Sequence, residues 1–355
     1  MDTQLEFFEP QLFRPRPPST RYQGSKAKLL DWIWENIRDL DFHTCLDAFG
    51  GTGSVAYFLK SQRKEVTFND YLKFNAISAT GLFENTNAEL SEDEAFAVVN
   101  RRPGLSYEDF IERTFDDIYF LRDENRWLDV TCQNIARIDD NYKKAIAYHA
   151  LFQSCIVKRP YNLFHRKNLY MRTAEVKRSF GNKATWDTSF KEHFLRFVKE
   201  ANEAVFDSGI PCRVLCGDAV AVPGDFDLVY IDTPYLNSRG VGVDYLDFYH
   251  FLEGMTDYKG WAHKIDYRRK HRPLKAERSP WSDPRRIAIA FEKVFDRYSK
   301  SILVVSYRGD GIPSEEDLFK LVRKFKKQVR VVYQEKYKYV LSTNNNSKEV
   351  LLVAW

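Results

Sequence analysis

Residues 44–70 read TCLDAFGGTGSVAYFLKSQRKEVTFND, and this stretch decides the fold. Thr44 to Phe49 is a short apolar run, as a buried strand requires. Gly50-Gly51-Thr52-Gly53 closes it, and Val55, Ala56, Phe58 and Leu59 then recur at helical spacing. Glu65-Val66-Thr67-Phe68 is a second β-rich run ending at Asn69-Asp70, and another helix begins near Leu72. Strand, helix, strand, helix in that order predicts a parallel sheet with crossover helices. The glycines between strand and helix let a ligand approach the backbone closely. Asp70 stands where a partner for a ribose hydroxyl is expected. The run does not fit G-x-G-x-x-G, because position 56 is Ala and Gly50, Gly51 and Gly53 are bunched. A nucleoside cofactor other than a nicotinamide is therefore favoured over a plain tight connection.

Upstream, Leu29, Leu30, Ile33, Trp34 and Ile37 predict a helix from Ser25, with Ser25 as its N-cap. Residues 1–20 are Pro-rich and read as an extended arm. Downstream, the alternation stops near Gly81, and residues 83–210 read as a mainly helical insertion. Strands resume at Arg213–Cys216 and Asp227–Ile231, followed by a helix over Tyr245–Met255 and another over Arg286–Tyr298. Ser301–Ser306 is a strand, Glu315–Lys327 a helix, and Val329–Tyr333 a strand. Val350–Ala354 is the last strand, paired as a hairpin across Asn344-Asn345-Asn346. The expected architecture is thus one α/β domain, residues 21–82 and 211–355, interrupted by helices.

Composition bounds the rest. The 355 residues are 44% apolar and 29% charged, which excludes disordered and collagen-like chains. No apolar run approaches the roughly 18 residues that a membrane span needs. The first ten residues carry no apolar core of a signal peptide. Five cysteines, none in a CxxC pair, argue against a disulfide framework or zinc site and for a reducing, cytoplasmic setting. The net charge of +4 hides a division within the insertion. Residues 81–140 carry six basic side chains against fifteen acidic ones, and residues 141–200 carry thirteen against four. In the basic half, Lys158, Arg159, Arg166, Lys167 and Arg172 alternate with Tyr161, Phe164 and Tyr170. That mixture suits phosphates and stacked bases as well as it suits a solvated helical face. A second basic stretch is Arg268-Arg269-Lys270-His271-Arg272.

Three more motifs complete the pattern. Asp232-Thr233-Pro234-Tyr235 follows the apolar strand Leu228–Ile231, at a strand end where ligands sit in open α/β sheets. Tyr22-Gln23-Gly24-Ser25-Lys26 precedes the first helix, and Gly217-Asp218-Ala219 closes the strand before Asp232. Singly, these read equally as a Pro turn, a cap with a surface lysine, and a helix cap. In their order and spacing they resemble the DNA adenine methylase family of restriction–modification systems and phages. The resemblance covers roughly residues 21–82 and 211–355 and includes Tyr245–Gly254 and Lys348-Glu349-Val350-Leu351-Leu352.

The resemblance implies a Rossmann-like class I methyltransferase sheet with an inserted helical target-recognition domain. It implies transfer of a methyl group from S-adenosylmethionine, without a metal, to N6 of an adenine in double-stranded DNA. Tyr22 and Lys26 would lie near the methionine moiety, and Asp47, Phe49, Gly50 and Gly51 under the cofactor. Asp70 would hold the ribose and Asp218 the cofactor's adenine amine. Asp232, Thr233, Pro234 and Tyr235 would be catalytic, with Thr233 where the family usually has Pro. Lys158, Arg159, Tyr161, Arg166, Lys167 and Arg172 are the expected DNA contacts, and a restriction endonuclease is a possible functional partner. The alternatives are methylation of cytosine N4 or of RNA, or a catalytically silent DNA-binding module.

Overall fold

In the computed structural model, residues 17–175, 183–237, 240, 242, 244–277, 279–334 and 348–355 are described. Most of the expected arm, residues 1–16, and the turn at Asn344-Asn345-Asn346 lie outside them. The first half of the sheet is laid down by α1 (Leu30–Ile37), β1 (Thr44–Asp47), α2 (Ser54–Ser61), β2 (Glu65–Asp70) and α3 (Lys73–Ala79). Helices α4 (Glu92–Val99), α5 (Phe110–Thr114), α6 (Arg122–Ile135), α7 (Asn141–Val157), α8 (Tyr170–Thr173), α9 (Lys183–Asp187) and α10 (Phe190–Ala204) follow. The sheet resumes with β3 (Arg213–Cys216), β4 (Leu228–Ile231), β5 (Leu236–Asn237), α11 (Tyr245–Met255), α12 (Trp261–Lys264) and α13 (Ile287–Arg297). It ends with β6 (Ile302–Arg308), β7 (Gly311–Ile312), α14 (Glu315–Arg323), β8 (Val329–Gln334) and β9 (Glu349–Ala354).

Among the described residues seven strands form one sheet in the order β3-β2-β1-β4-β6-β9-β8. The first five pair in parallel, and β9 runs antiparallel to both neighbours. Parallel strands covered on both faces need apolar side chains on both, and every residue of β4 is buried. Cores lie on both faces: Ile33, Val55 and Leu59 from α1 and α2 on one, Phe291, Val294 and Leu318 from α13 and α14 on the other. The chain leaves β1 towards β2 on one side, while β4 pairs on its other side. That reversal opens a crevice at the carboxyl ends of β1 and β4, the place where such sheets bind ligands.

Helices α4 to α10 pack around α7, which is buried from Ala145 to Val157, in a core they share with Leu72, Phe74, Tyr249 and Phe251. Ser91 and Ser189 start α4 and α10 with reciprocal side-chain caps to Glu94 and Glu192. The docking to α3 is close. A Cβ on Gly81 would stand 2.8 Å from the Ile146 backbone nitrogen, so only glycine fits there.

Two local expectations change. Helix α1 begins at Leu30, not Ser25, and its N-cap Leu29 makes no side-chain cap bond. The Ser25 hydroxyl is engaged elsewhere, 3.0 Å from Ser54 Oγ at the start of α2. Helix α14 stops at Arg323, short of Lys327.

Candidate active site

The loops after β1, β2, β3 and β4 enclose a cavity of about 770 Å³. Every residue expected to hold cofactor or carry catalysis lines it: Tyr22, Lys26, Asp47, Phe49, Gly50, Gly51, Asp70, Asp218, Asp232, Thr233, Pro234 and Tyr235. The glycine loop lies hard against β2. The Gly50 amide donates to the Asn69 carbonyl at 2.8 Å, and a Cβ there would sit 2.0 Å from the Phe68 ring.

Three carboxylates at the ends of β1, β2 and β3 make up one side of the cavity. Asp47 is 1% exposed; its Oδ2 accepts from the Ala56 amide at 3.2 Å. Its Oδ1 has no partner among the described residues. Burial, with the Asp232 charge adding to it, pushes its pKa up to about 8. Asp70 accepts from the Gly51 and Leu72 amides at 2.8 and 2.7 Å. Burial raises its pKa and those two amides oppose the rise. Asp218 caps the short turn Ala219–Ala221, accepting from the Val220 amide at 3.2 Å, while also facing the cavity.

Aromatic rings complete that side. Tyr22 stacks on Tyr249 at 4.5 Å and on Tyr245 at 5.7 Å between ring centroids. Phe49 meets the edge of Trp281 at 4.9 Å. Tyr245, Tyr249 and Trp281 were not foreseen. The four-residue spacing of Tyr245 and Tyr249 on one helix face was the available signal.

The tetrapeptide leaves β4 with Asp232 at the centre of a hydrogen-bonded cluster. Asp232 Oδ1 accepts from Lys26 Nζ at 2.8 Å and from the Tyr235 hydroxyl at 2.5 Å. Asp232 Oδ2 lies 2.7 Å from the same ammonium. A carboxylate offers about four acceptor directions, so among the described residues this pattern leaves one on Oδ2. Thr233 is buried and its hydroxyl has no partner among the described residues. Lys26 lines the cavity as expected, and its ammonium is held there by a carboxylate of the protein, Asp232. Burial alone would lower this ammonium's pKa, but Asp232 and Glu349 outweigh burial and hold it above the usual lysine range. Glu349 was not foreseen. Its signal was a lone carboxylate heading an apolar strand.

The basic residues divide. Arg166, Lys167 and Tyr161 are exposed. Lys158, Arg159 and Arg172 are 2%, 1% and 7% exposed, so the structure removes them from the expected DNA-contacting surface. Arg159 donates to the carbonyls of Leu163, Tyr119 and Arg166 at 3.0–3.1 Å and to Asn168 Oδ1. Lys158 holds the carbonyls of Trp186 and Thr188 at 2.7 and 2.6 Å. Arg172 grips Glu124 with two bonds of 2.8 and 2.7 Å. The physical reason is that buried carbonyls in an irregular segment need donors, and these side chains supply them. The loop they shape presents Tyr161, whose carbonyl accepts from Gln23 Nε2 at 3.3 Å on the cavity's rim.

The family model described as D12 class N6 adenine-specific DNA methyltransferase matches residues 22–281. The chain belongs to that family. Among its relatives is Type II methyltransferase M2.HphI of Haemophilus parahaemolyticus, 24% identical over 96% of this chain and 97% of that protein. Type II methyltransferase M.CviAII of Paramecium bursaria Chlorella virus 1 is 23% identical over 93% of this chain and 96% of its own length. Modification methylase LlaI of Lactococcus lactis subsp. lactis is 25% identical over 92% of this chain, which spans 52% of that protein. This chain is therefore an adenine-specific DNA methyltransferase, and cytosine N4, RNA and a silent module are disfavoured.

Proposed function

We propose that this methyltransferase flips its target adenine out of double-stranded DNA and holds the N6 amine on Asp232. The open acceptor direction on Asp232 Oδ2, inside the cavity, carries this reading. The same cavity suits S-adenosylmethionine. Among the described residues Asp47 Oδ1 is buried without a partner, so a cationic ligand that displaces the Asp47 proton would find an acceptor there. When bound, the cofactor supplies an electrophilic methyl group on a sulfonium. Asp70 would hold the ribose hydroxyls and Asp218 the adenine amine. Tyr22, Asp47, Phe49, Gly50 and Gly51 would cradle the rest. No metal is given a role, because the transferred methyl is already activated.

Extruding a base costs a few kcal/mol. Stacking against Tyr235 returns about 1–3 kcal/mol. The N6 lone pair is conjugated with the ring. Hydrogen bonds to Asp232 Oδ2 and the Thr233 carbonyl draw the amine towards tetrahedral geometry and free that pair. Thr233 retains the carbonyl that Pro would offer. Much of the rate comes from this positioning, and the Asp232 charge offsets the positive charge that develops on N6.

In this reading residues 21–82 and 211–355 form the catalytic part and residues 83–210 recognise the target. Tyr161, Arg166, Lys167 and the stretch Arg268–Arg272 would touch DNA. The relatives' names, type II methyltransferase and modification methylase, favour pairing with a restriction endonuclease, and the cysteine content favours a cytoplasmic setting. The test is transfer of labelled methyl from S-adenosylmethionine into DNA by Asp232→Ala. The expected result is lost transfer with cofactor binding kept. Retained transfer would overturn the assignment.

A further inference from the structure

We infer that Glu349 is a positioning residue for methyl transfer, acting through Lys26 on Asp232. This rests on the proposed role of Asp232 as acceptor of the target amine. The Lys26 ammonium lies between two carboxylates, 2.7 Å from Asp232 Oδ2 and 3.7 Å from Glu349 Oε1. The Glu349 side chain is wholly buried at the head of β9, and the rest of that strand is apolar. A buried carboxylate is unfavourable unless it is paired. Here the Ser306 hydroxyl donates to it at 2.6 Å, and the Tyr235 hydroxyl, whose one proton goes to Asp232, stands 3.4 Å away.

The charge balance shows what Glu349 adds. Lys26 and Asp232 alone would make a neutral pair, facing an amine that must become cationic. In the reaction the N6 lone pair forms the new N–C bond and the S–C bonding electrons return to sulfur. The sulfonium charge thereby passes to N6, until the surplus N6 proton leaves by way of Asp232 Oδ2. A neutral pair does little to stabilise that charge. With Glu349 the cluster carries a net negative charge. Lys26 is also shared between two anions, so Asp232 keeps more of its strength as an acceptor.

The test compares Glu349→Gln, which keeps the shape and removes the charge, with Glu349→Asp, which keeps the charge. In single turnovers at saturating cofactor and DNA, Glu349→Gln should slow methyl transfer about ten-fold or more, with both dissociation constants within about two-fold of the unsubstituted protein. Glu349→Asp should stay within about three-fold. In a Lys26→Gln background the Glu349→Gln change should have little further effect, because the cation it balances is gone. Nitrogen NMR should show the Lys26 ammonium losing its proton at lower pH in Glu349→Gln. An unchanged rate, an unmoved Lys26 titration, or an equal cost in both Lys26 backgrounds overturns the inference. If Glu349→Gln does not fold, Glu349→Asp decides alone: a lost rate with cofactor binding intact overturns it, a retained rate supports it. Asp232→Ala, run in parallel, separates the layers. Activity there removes the role of Asp232 itself. Inactivity there beside an unaffected Glu349→Gln removes only the present inference.

Discussion

The strand-end loops and the basic segment 158–172 both carry charged side chains, yet the two use them in opposite directions. At the strand ends Asp47, Asp70, Asp218 and Asp232 face a shared cavity. In the basic segment Lys158, Arg159 and Arg172 turn inward and hold the segment's own surroundings together. The sheet explains the first case, since its topology opens a crevice whatever the loops contain. Irregular backbone explains the second, since its carbonyls need partners once buried. The two oppositely charged halves of the insertion also meet directly. Lys158 and Arg172 pair with Glu124, Lys167 with Asp117, and Lys143 with Glu94. A charge excess along the sequence is therefore no measure of charge on the surface.

Four experiments break or sharpen this contrast. The largest effect is expected for Asp232→Ala, which should lower methyl transfer by about a thousand-fold or more, with a smaller stability cost than Arg159→Ala because the buried Lys26 keeps Glu349 as a partner. A large fall in stability instead would make Asp232 a structural residue like Arg159. Arg159→Ala should cost about 3–5 kcal/mol of folding stability in urea denaturation, because it leaves buried carbonyls unpaired. Native stability in that variant, with weakened DNA binding, would return Arg159 to the DNA contacts.

The third effect concerns pH. The folded protein holds the Asp47 proton up to about pH 8, whereas the unfolded chain releases it near its ordinary value of about 4. Folding therefore takes up a proton across that window, and Asp47 lowers stability as pH rises through it. A cationic cofactor favours the ionised form and must displace the proton. Its affinity should rise by up to about ten-fold per unit between pH 6 and 8. Calorimetry in buffers of different ionisation enthalpy would detect the released proton, and a flat affinity would remove Asp47 from the cofactor's partners. The smallest effect is for Arg166→Ala with Lys167→Ala. The slope of log affinity against log salt should fall by about 1.8, the amount expected for two phosphate contacts, without loss of stability.

The catalytic half was legible because its motifs sit at fixed places on a β-α-β scaffold. Each strand run ends where its ligand-facing loop begins, so Asp47, Asp70, Asp218 and Asp232 could be placed together before any contact was known. The direction in which Lys158, Arg159 and Arg172 point was not legible. Alternation of basic and aromatic residues looks alike on a surface and in a segment where guanidinium groups pack on rings, as Arg159 does over Tyr119 at 4.5 Å. Lys26 was found but its pairing with Asp232 was not legible, because the two are distant in the chain. Glu349 was passed over because strand composition says where the strand is and little about an isolated charge within it.

The place of β9 has a consequence for synthesis. It is the last of the seven strands in the chain, yet it lies between β6 and β8. A chain released after residue 347 would have complete cofactor motifs but a sheet with a gap. β6 and β8 would each show an unpaired edge, a form prone to association with other chains. Glu349 enters only with the strand that fills the gap. Completion of the sheet and completion of the charge cluster around Asp232 are thus one event, so an unfinished chain would lack both.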